Sequence, residues 1–229
     1  MSSALDSIAP VARKETLGAI VREELRSALM DGRFRPGEKL TIRAVANALN
    51  VSLTPAREAL YNLMAEGVLE SGANGTVFVP SLDEPRIREL SLIRIRLEGL
   101  AAREAMPNLA PKDFDRLSEI NSQFAKTDKE KEHAKLMQLN WQFHFGLYEA
   151  ANMPALLKII ETCWLKMGSY LNVIYPDYGS VGVGRDNHAR ILAALQGGDA
   201  NLLEDHIRTD IEQSTAWVIQ MIRDRRLPA

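Results

Sequence analysis

Val51-Ser52-Leu53-Thr54-Pro55-Ala56-Arg57-Glu58-Ala59-Leu60 reads as the opening of a helix with polar side chains at its mouth. Pro55 occupies a first-turn position, where its missing N–H costs nothing. The helix runs from about Thr54 to Ala65 and ends at Gly67. A helix start leaves backbone N–H groups free and carries a partial positive charge, so it suits a phosphate. Ser52 and Thr54 stand at that start, and Arg57 lies in the first turn, where a guanidinium can fork onto a guanine edge or grip a phosphate.

The segments on either side supply the context. Upstream, Thr41 to Leu49 is a short helix with Thr41 as its N-cap and Val45, Ala46 and Leu49 turned inward. Asn50-Val51-Ser52 is the turn between the two helices. Further upstream, Lys14 to Met30 has Leu17, Ile20, Val21, Leu25, Ala28 and Leu29 at helical spacing and stops at Asp31-Gly32. Arg35-Pro36-Gly37-Glu38 is a turn. Downstream the apolar period changes to two. Val68–Ser71 and Thr76–Val79 read as strands joined by Gly72-Ala73-Asn74-Gly75, whose Asn-Gly pair signals a hairpin. A lone hairpin is not stable in water and must lie against the helices.

Helix, turn, helix and hairpin over residues 14–80 are the parts of a winged helix-turn-helix. The major groove of double-stranded DNA accepts one helix, read by residues near its N-terminus. Arg43, at the start of the preceding helix, is placed to hold the DNA backbone. Asn74 and Gly75, at the hairpin tip, carry little bulk and suit a close approach to the minor groove.

The fuller pattern of Pro36-Gly37-Glu38-Lys39-Leu40, Val45-Ala46, Val51 to Leu60, and Leu63-Met64-Ala65-Glu66-Gly67-Val68-Leu69 resembles the DNA-binding domain of the GntR family of bacterial repressors. The resemblance implies that Arg43, Thr54, Arg57 and Gly75 contact an operator. Leu53 stands where that family usually carries Arg.

Pro80 and Pro85 bracket a boundary, and residues 84–225 read as a second domain. Its helices fall at roughly 84–106, 111–126, 129–151, 153–175, 183–197 and 199–224. Amphipathic helices of this number and length bury their stripes as an antiparallel bundle. The fold class is therefore mainly α: a winged helix-turn-helix with a small β-hairpin, followed by a helical bundle.

The 229 residues carry a net charge of −2, and residues 1–82 balance nine basic against nine acidic residues. DNA binding must come from the placement of a few cations rather than bulk charge. No apolar run approaches the roughly 20 residues of a membrane span, and Met1–Lys14 lacks a signal-peptide core. No membrane partner is expected. The single cysteine, Cys163, fits a reducing cytoplasm.

Four histidines stand out in the second domain. His133 sits in a charged run and reads as solvated. His144 lies four residues after Asn140, on one helical face. His188 and His206 lie on two further helices. Imidazoles from separate helices can hold a divalent metal and leave positions open for a ligand.

These residues also carry a family resemblance. Arg94 to Ala102, Phe143-His144, Ala151-Asn152, His188 to Leu195, Gly198-Asp199-Ala200 and His206 are similar to the FCD effector-binding domain of the FadR-type GntR branch. The resemblance implies an Asp and three His around a metal, beside a pocket for a carboxylate metabolite. Carried over, the set is Asn140, His144, His188 and His206, with Asn140 where the family has Asp. Zinc or nickel suits such a set. Arg94 is the candidate clamp for an effector carboxylate, against the alternative of an ion pair with Glu98 four residues on. Tyr170 and Asn172 are candidate pocket residues.

The expected protein is thus a homodimeric regulator whose affinity for an operator is set by a small molecule. The competing class is a metal-dependent helical hydrolase. Against an enzyme, Glu204 and Asp205 precede His206 but fall on other helical faces, so no general base accompanies the histidines.

Overall fold

The computed structural model describes residues 16–72, 76–130, 133–178, 182–224 and 226, without the side chains of 128–130, 133, 134 and 172–178. Asn74, Gly75 and the side chains of His133 and Asn172 therefore lie outside the described residues.

The N-terminal domain begins with α1 (Leu17–Met30), whose N-cap Thr16 accepts a hydrogen bond from the Ala19 amide. Val21, Leu25 and Leu29 form its buried stripe, which packs on α3. Helix α2 (Ile42–Ala48) is capped in the same way by Thr41. Asn50, at φ 52°, makes the left-handed turn into α3 (Leu53–Ala65). Asn tolerates that region better than other non-glycine residues.

Three two-residue strands complete the domain: β1 (Lys39–Leu40), β2 (Glu70–Ser71) and β3 (Val77–Phe78), antiparallel in the order β1-β3-β2. The sequence indicated a two-stranded hairpin with longer strands. The Lys39–Leu40 strand adds to it, with Leu40 opposite Val77, and the Gly37 and Val79 amides extend the pairing to Val79 and Glu38. A third strand supplies backbone partners that a short hairpin lacks.

Asp83 caps α4 (Glu84–Ala105), which packs along α9 (Ala200–Arg223). Between them in the chain come α5 (Pro111–Glu130), α6 (His133–Tyr148), α7 (Pro154–Tyr178) and α8 (Val183–Gly197). The break expected at Thr127-Asp128 does not occur, because α5 continues through Glu130. Thr127 is buried, as is Phe124 one turn before it, and such packing overrides the weak helix propensity of Thr and Asp.

The described residues form two apolar cores. One lies between α1, α2, α3 and the sheet, and the other fills the bundle. Leu165 of α7 belongs to the first core although its helix belongs to the bundle. Helix α7 is therefore shared by both domains.

Candidate functional site

Two regions carry the chemistry. The first is the outer face of α3. Pro55, Ala56, Ala59, Leu60 and Leu63 turn inward, which leaves Ser52, Leu53, Thr54, Arg57 and Tyr61 exposed. Thr54, Arg57 and Tyr61 are three and four residues apart and share one face. Ser52 begins the helix without spending its hydroxyl on a cap, unlike Thr16 and Thr41. Its oxygen and the first amides of α3 remain available to a phosphate.

The neutral charge balance of this domain is resolved by pairing. Glu66 takes Arg26 at 2.6 Å and Arg22 at 3.5 Å, and Asp31 takes Arg33 at 2.8 Å. Glu58 turns back against Gly18 of α1. Among the described residues, the exposed Arg35, Lys39, Arg43 and Arg57 side chains enter no ion pair. The acids thus neutralise the α1 side, while the cations of α2, α3 and β1 stay uncompensated. Tyr61 is the one residue of this face that sequence reasoning missed. The signal was an aromatic residue one turn after Arg57, on the polar side of an amphipathic helix.

The second region is a polar centre buried in the bundle. Nε2 of His188 on α8 lies 3.1 Å from the Asn140 amide oxygen and 3.3 Å from Nε2 of His144, both on α6. Nε2 of His144 lies 3.4 Å from Asp210 of α9. On its other side, Nδ1 of His144 meets the Tyr148 hydroxyl at 3.2 Å, and that hydroxyl donates to Glu98 at 2.9 Å. Glu98 accepts from Nε of Arg94 at 2.6 Å, and the guanidinium lies 4.8 Å from the centre of the Trp164 ring. Phe143 stacks on His188 at 4.0 Å.

This arrangement fixes protonation states. Burial, then the neighbouring Glu98, pushes the Tyr148 hydroxyl well above its ordinary range, so it keeps its proton and donates a hydrogen bond to Glu98. Nδ1 of His144 must then be the donor to Tyr148. Burial and the proximity of His144, only partly opposed by Asp210, lower His188 to about 3, leaving a neutral imidazole. Burial pushes the Asp210 carboxyl up, but its hydrogen bond to His144, with help from His188 and Asn187, more than offsets this and holds it below the usual range. An ionised carboxylate therefore faces Nε2 of His144.

His206 does not join this group. It lies one turn before Asp210 and is half-exposed, and Asp210 supplies the α9 donor instead. The carboxylate absent at Asn140 is thus provided from across the bundle. The signal in the sequence was an acid among Leu203, Ile207 and Ile211 on an otherwise apolar inward stripe. Tyr170 also lies elsewhere. Its buried hydroxyl accepts from the Leu82 amide and donates to the Leu82 carbonyl, tying down the interdomain linker. Arg94 is in the buried pair with Glu98, the alternative weighed against a clamp. Among the described residues, no three His, Cys, Asp or Glu side chains stand as a finished ligand set. Asn140, His188, His144 and Asp210 instead form a row of successive contacts.

A helix-turn-helix whose second helix opens on exposed Thr54 and Arg57, followed by a three-stranded wing and docked on a helical bundle, is the architecture of a winged-helix DNA-binding protein. Residues 17–79 match the bacterial regulatory proteins of the gntR family, and residues 89–213 match the FCD domain. The chain is 28% identical over 202 residues to the HTH-type transcriptional regulator McbR of Escherichia coli K12, covering 87% of this chain and 91% of that protein. It is 31% identical over 194 residues to the Nta operon transcriptional regulator of Aminobacter aminovorans, covering 83% and 89%. The solved structure of E. coli McbR/YncC superposes with a TM-score of 0.85 at 27% identity, over 91% of this chain and 100% of that one. The chain belongs to the GntR family of transcriptional regulators, in its FCD-containing, FadR-type branch. These relatives are regulators, and none of them supports the hydrolase alternative. No helix among the described residues is long and apolar enough to cross a membrane.

Proposed function

We propose that this cytoplasmic regulator binds a double-stranded operator as a homodimer, and that a small carboxylate metabolite, bound beside a divalent metal in the bundle, sets its operator affinity. The exposed row Thr54, Arg57 and Tyr61 at the open start of α3 carries the DNA-binding part. Paired half-sites suit a two-fold symmetric protein.

The metal part is supported by the chemistry of the donors. Ligands about 2.0–2.1 Å from a zinc-type ion stand roughly 3–3.4 Å apart from one another. The Asn140–His188, His188–His144 and His144–Asp210 separations of 3.1, 3.3 and 3.4 Å fit that spacing. His144 has its other nitrogen backed through Tyr148 to a carboxylate, the usual second contact of a ligating imidazole. Zinc or nickel suits two imidazoles and a carboxylate. When bound, it supplies a Lewis-acidic centre with positions open to an effector carboxylate. Arg94 spends Nε on Glu98, so a clamp role falls to its outer nitrogens.

The test combines metal analysis of the purified protein with a gel shift on DNA upstream of its own gene. Wild type is expected to shift that DNA and to hold close to one equivalent of zinc or nickel per chain. The H144A/H188A pair is expected to lose the metal, D210N to bind it far more weakly, and H206N to retain it. Loss in H206N with retention in D210N would overturn the ligand set proposed here. Arg57→Ala is expected to abolish the specific shift with helix content unchanged, and retained affinity would refute the α3 contact.

A further inference from the structure

Helix α7 acts on the winged domain at one end of α3. Glu66, the C-cap of α3, pairs at 2.6 Å with Nη1 of Arg26 on α1. Nη2 of the same guanidinium pairs at 2.6 Å with Glu161 of α7. Arg26 is 3% exposed, so it is held between a carboxylate from each domain with little solvent to screen it. Lys166 of α7 lies beside Gly67, with Nζ 3.5 Å from where a Cβ would stand. Its charge there complements the negative end of the α3 dipole. Glu161, through Arg26, and Lys166 thus both bear on the C-terminal end of α3.

The domains are less closely joined on either side of this contact. Toward α6, a cleft of about 410 Å³ opens between α1 and the bundle, bordered by Arg26 and Glu161 and by Met30 and Trp141. Toward α4, a cleft of about 420 Å³ opens between the end of α3 and the bundle, bordered by Lys166 and by Met64, Leu69 and Leu90. One side-chain tie crosses beside each. Gln138 donates to Asp31 at 3.2 Å on the α6 side, and the exposed Arg86 and Glu70 stand 3.4 Å apart on the α4 side. Exposed pairs of the second kind contribute little.

A domain seated mainly on one helix, with a cleft to each side, rocks on that helix unless directional contacts stop it. Helix α3 runs about 20 Å from the clamped end to Thr54, at about 1.5 Å per residue. A tilt of about 5° at Glu66 carries its far end through about 2 Å, more than a hydrogen bond to a base edge tolerates. Attraction to phosphates is long-ranged and independent of sequence, and it survives such a shift. The clamp therefore bears on the reading of bases and not on attraction to DNA as such.

We propose that Arg26 is a positioning residue for sequence reading: by holding Glu66 and Glu161 at once, it fixes the angle at which α3 presents Thr54 and Arg57 to the bases. The proposal rests on the DNA-binding reading above and adds to it a residue that does not touch DNA.

Fluorescence anisotropy of the full chain on DNA upstream of its own gene, and on a random-sequence duplex of equal length, gives the ratio of the two affinities. E161Q leaves Arg26 with Glu66 and with Glu23 at 3.6 Å, so the fold is expected to stand. E161Q is expected to lower the ratio about 5-fold or more, with helix content and affinity for the random duplex unchanged. R26M is expected to do the same, and R26M/E161Q no worse than either, because all three break one chain of contacts. A contact that only stabilises would lower the urea midpoint and leave the ratio at its wild-type value, and that result in E161Q overturns the proposal. Losses that multiply in the double variant overturn it too, since Arg26 and Glu161 would then act separately. A wild type with no preference for the upstream DNA overturns the DNA-binding reading instead. If R26M fails to fold, E161Q decides alone.

Discussion

Leu53 is the residue at which this DNA-reading face departs most from a simple cationic one. It is 46% exposed at the first position of α3, one turn before Arg57 on the same face. An apolar side chain there offers a phosphate nothing. Leu53→Arg is therefore expected to tighten binding to all DNA sequences and to steepen the dependence of log affinity on log salt by about one unit. Fluorescence anisotropy of a labelled operator across a salt series reads both effects. An unchanged slope would mean that position 53 faces no phosphate. The positions of Thr54 and Arg57 were legible because a 3.6-residue period sorts Ala56, Ala59 and Leu60 inward and leaves those two outward. The α9 donor was not legible to the same degree. His206 and Asp210 are one turn apart, so periodicity alone places both near one face. The rotation of α9 against α6 and α8, a property of the packed bundle, decides which of them reaches His144.

At the scale of elements, α7 is the member on which both domains depend. Its Leu165 lies in the core of the DNA-binding domain. Its Glu161 pairs at 2.6 Å with the buried Arg26 of α1, which also pairs with Glu66. Gly168 lies so close to α1 that a Cβ there would meet the Leu29 carbonyl. Tyr170 holds the linker at Leu82. Gly168→Ala forces a methyl into backbone and is expected to cost about 1–3 kcal/mol. Tyr170→Phe leaves the buried Leu82 groups without their side-chain partner and is expected to cost about 1–3 kcal/mol. Denaturant unfolding followed by circular dichroism measures each, and a Gly168→Ala protein as stable as wild type would show that α1 sits farther from α7 than described. Most helices of the bundle could be placed from their apolar stripes and their Pro, Gly and Asn punctuation. Strand β1 could not, because Lys39–Leu40 is extended only by virtue of a partner far along the chain. The α1–α7 docking was equally hidden, since a glycine within an apolar helix announces close approach only once the neighbouring element is known.

For the whole molecule, the decisive relation is that one helix touches both the buried centre and the DNA-binding domain. Trp164 lies 5.4 Å from His144 and under the Arg94 guanidinium, while its neighbour Leu165 packs among the residues of α1 and α3. A ligand at the centre that favours one placement of α7 against α1 over another changes operator affinity. Coupling of about 1–3 kcal/mol corresponds to a 5- to 150-fold change in affinity. Thermodynamic linkage then requires the operator to change ligand affinity by the same factor. Zinc is the convenient probe: operator binding is titrated with and without zinc, and zinc binding with and without operator DNA. The two factors are expected to be equal and to exceed about 5. Trp164→Phe keeps an aromatic ring against His144 but removes bulk beside the centre, next to Leu165 in the chain. It is expected to leave zinc affinity near the wild-type value while shrinking both factors together. Factors of one in both directions would remove α7 as a coupling element. Factors untouched by Trp164→Phe would shift the coupling to another contact between the domains, with Arg26 and its two carboxylates the next to be tested.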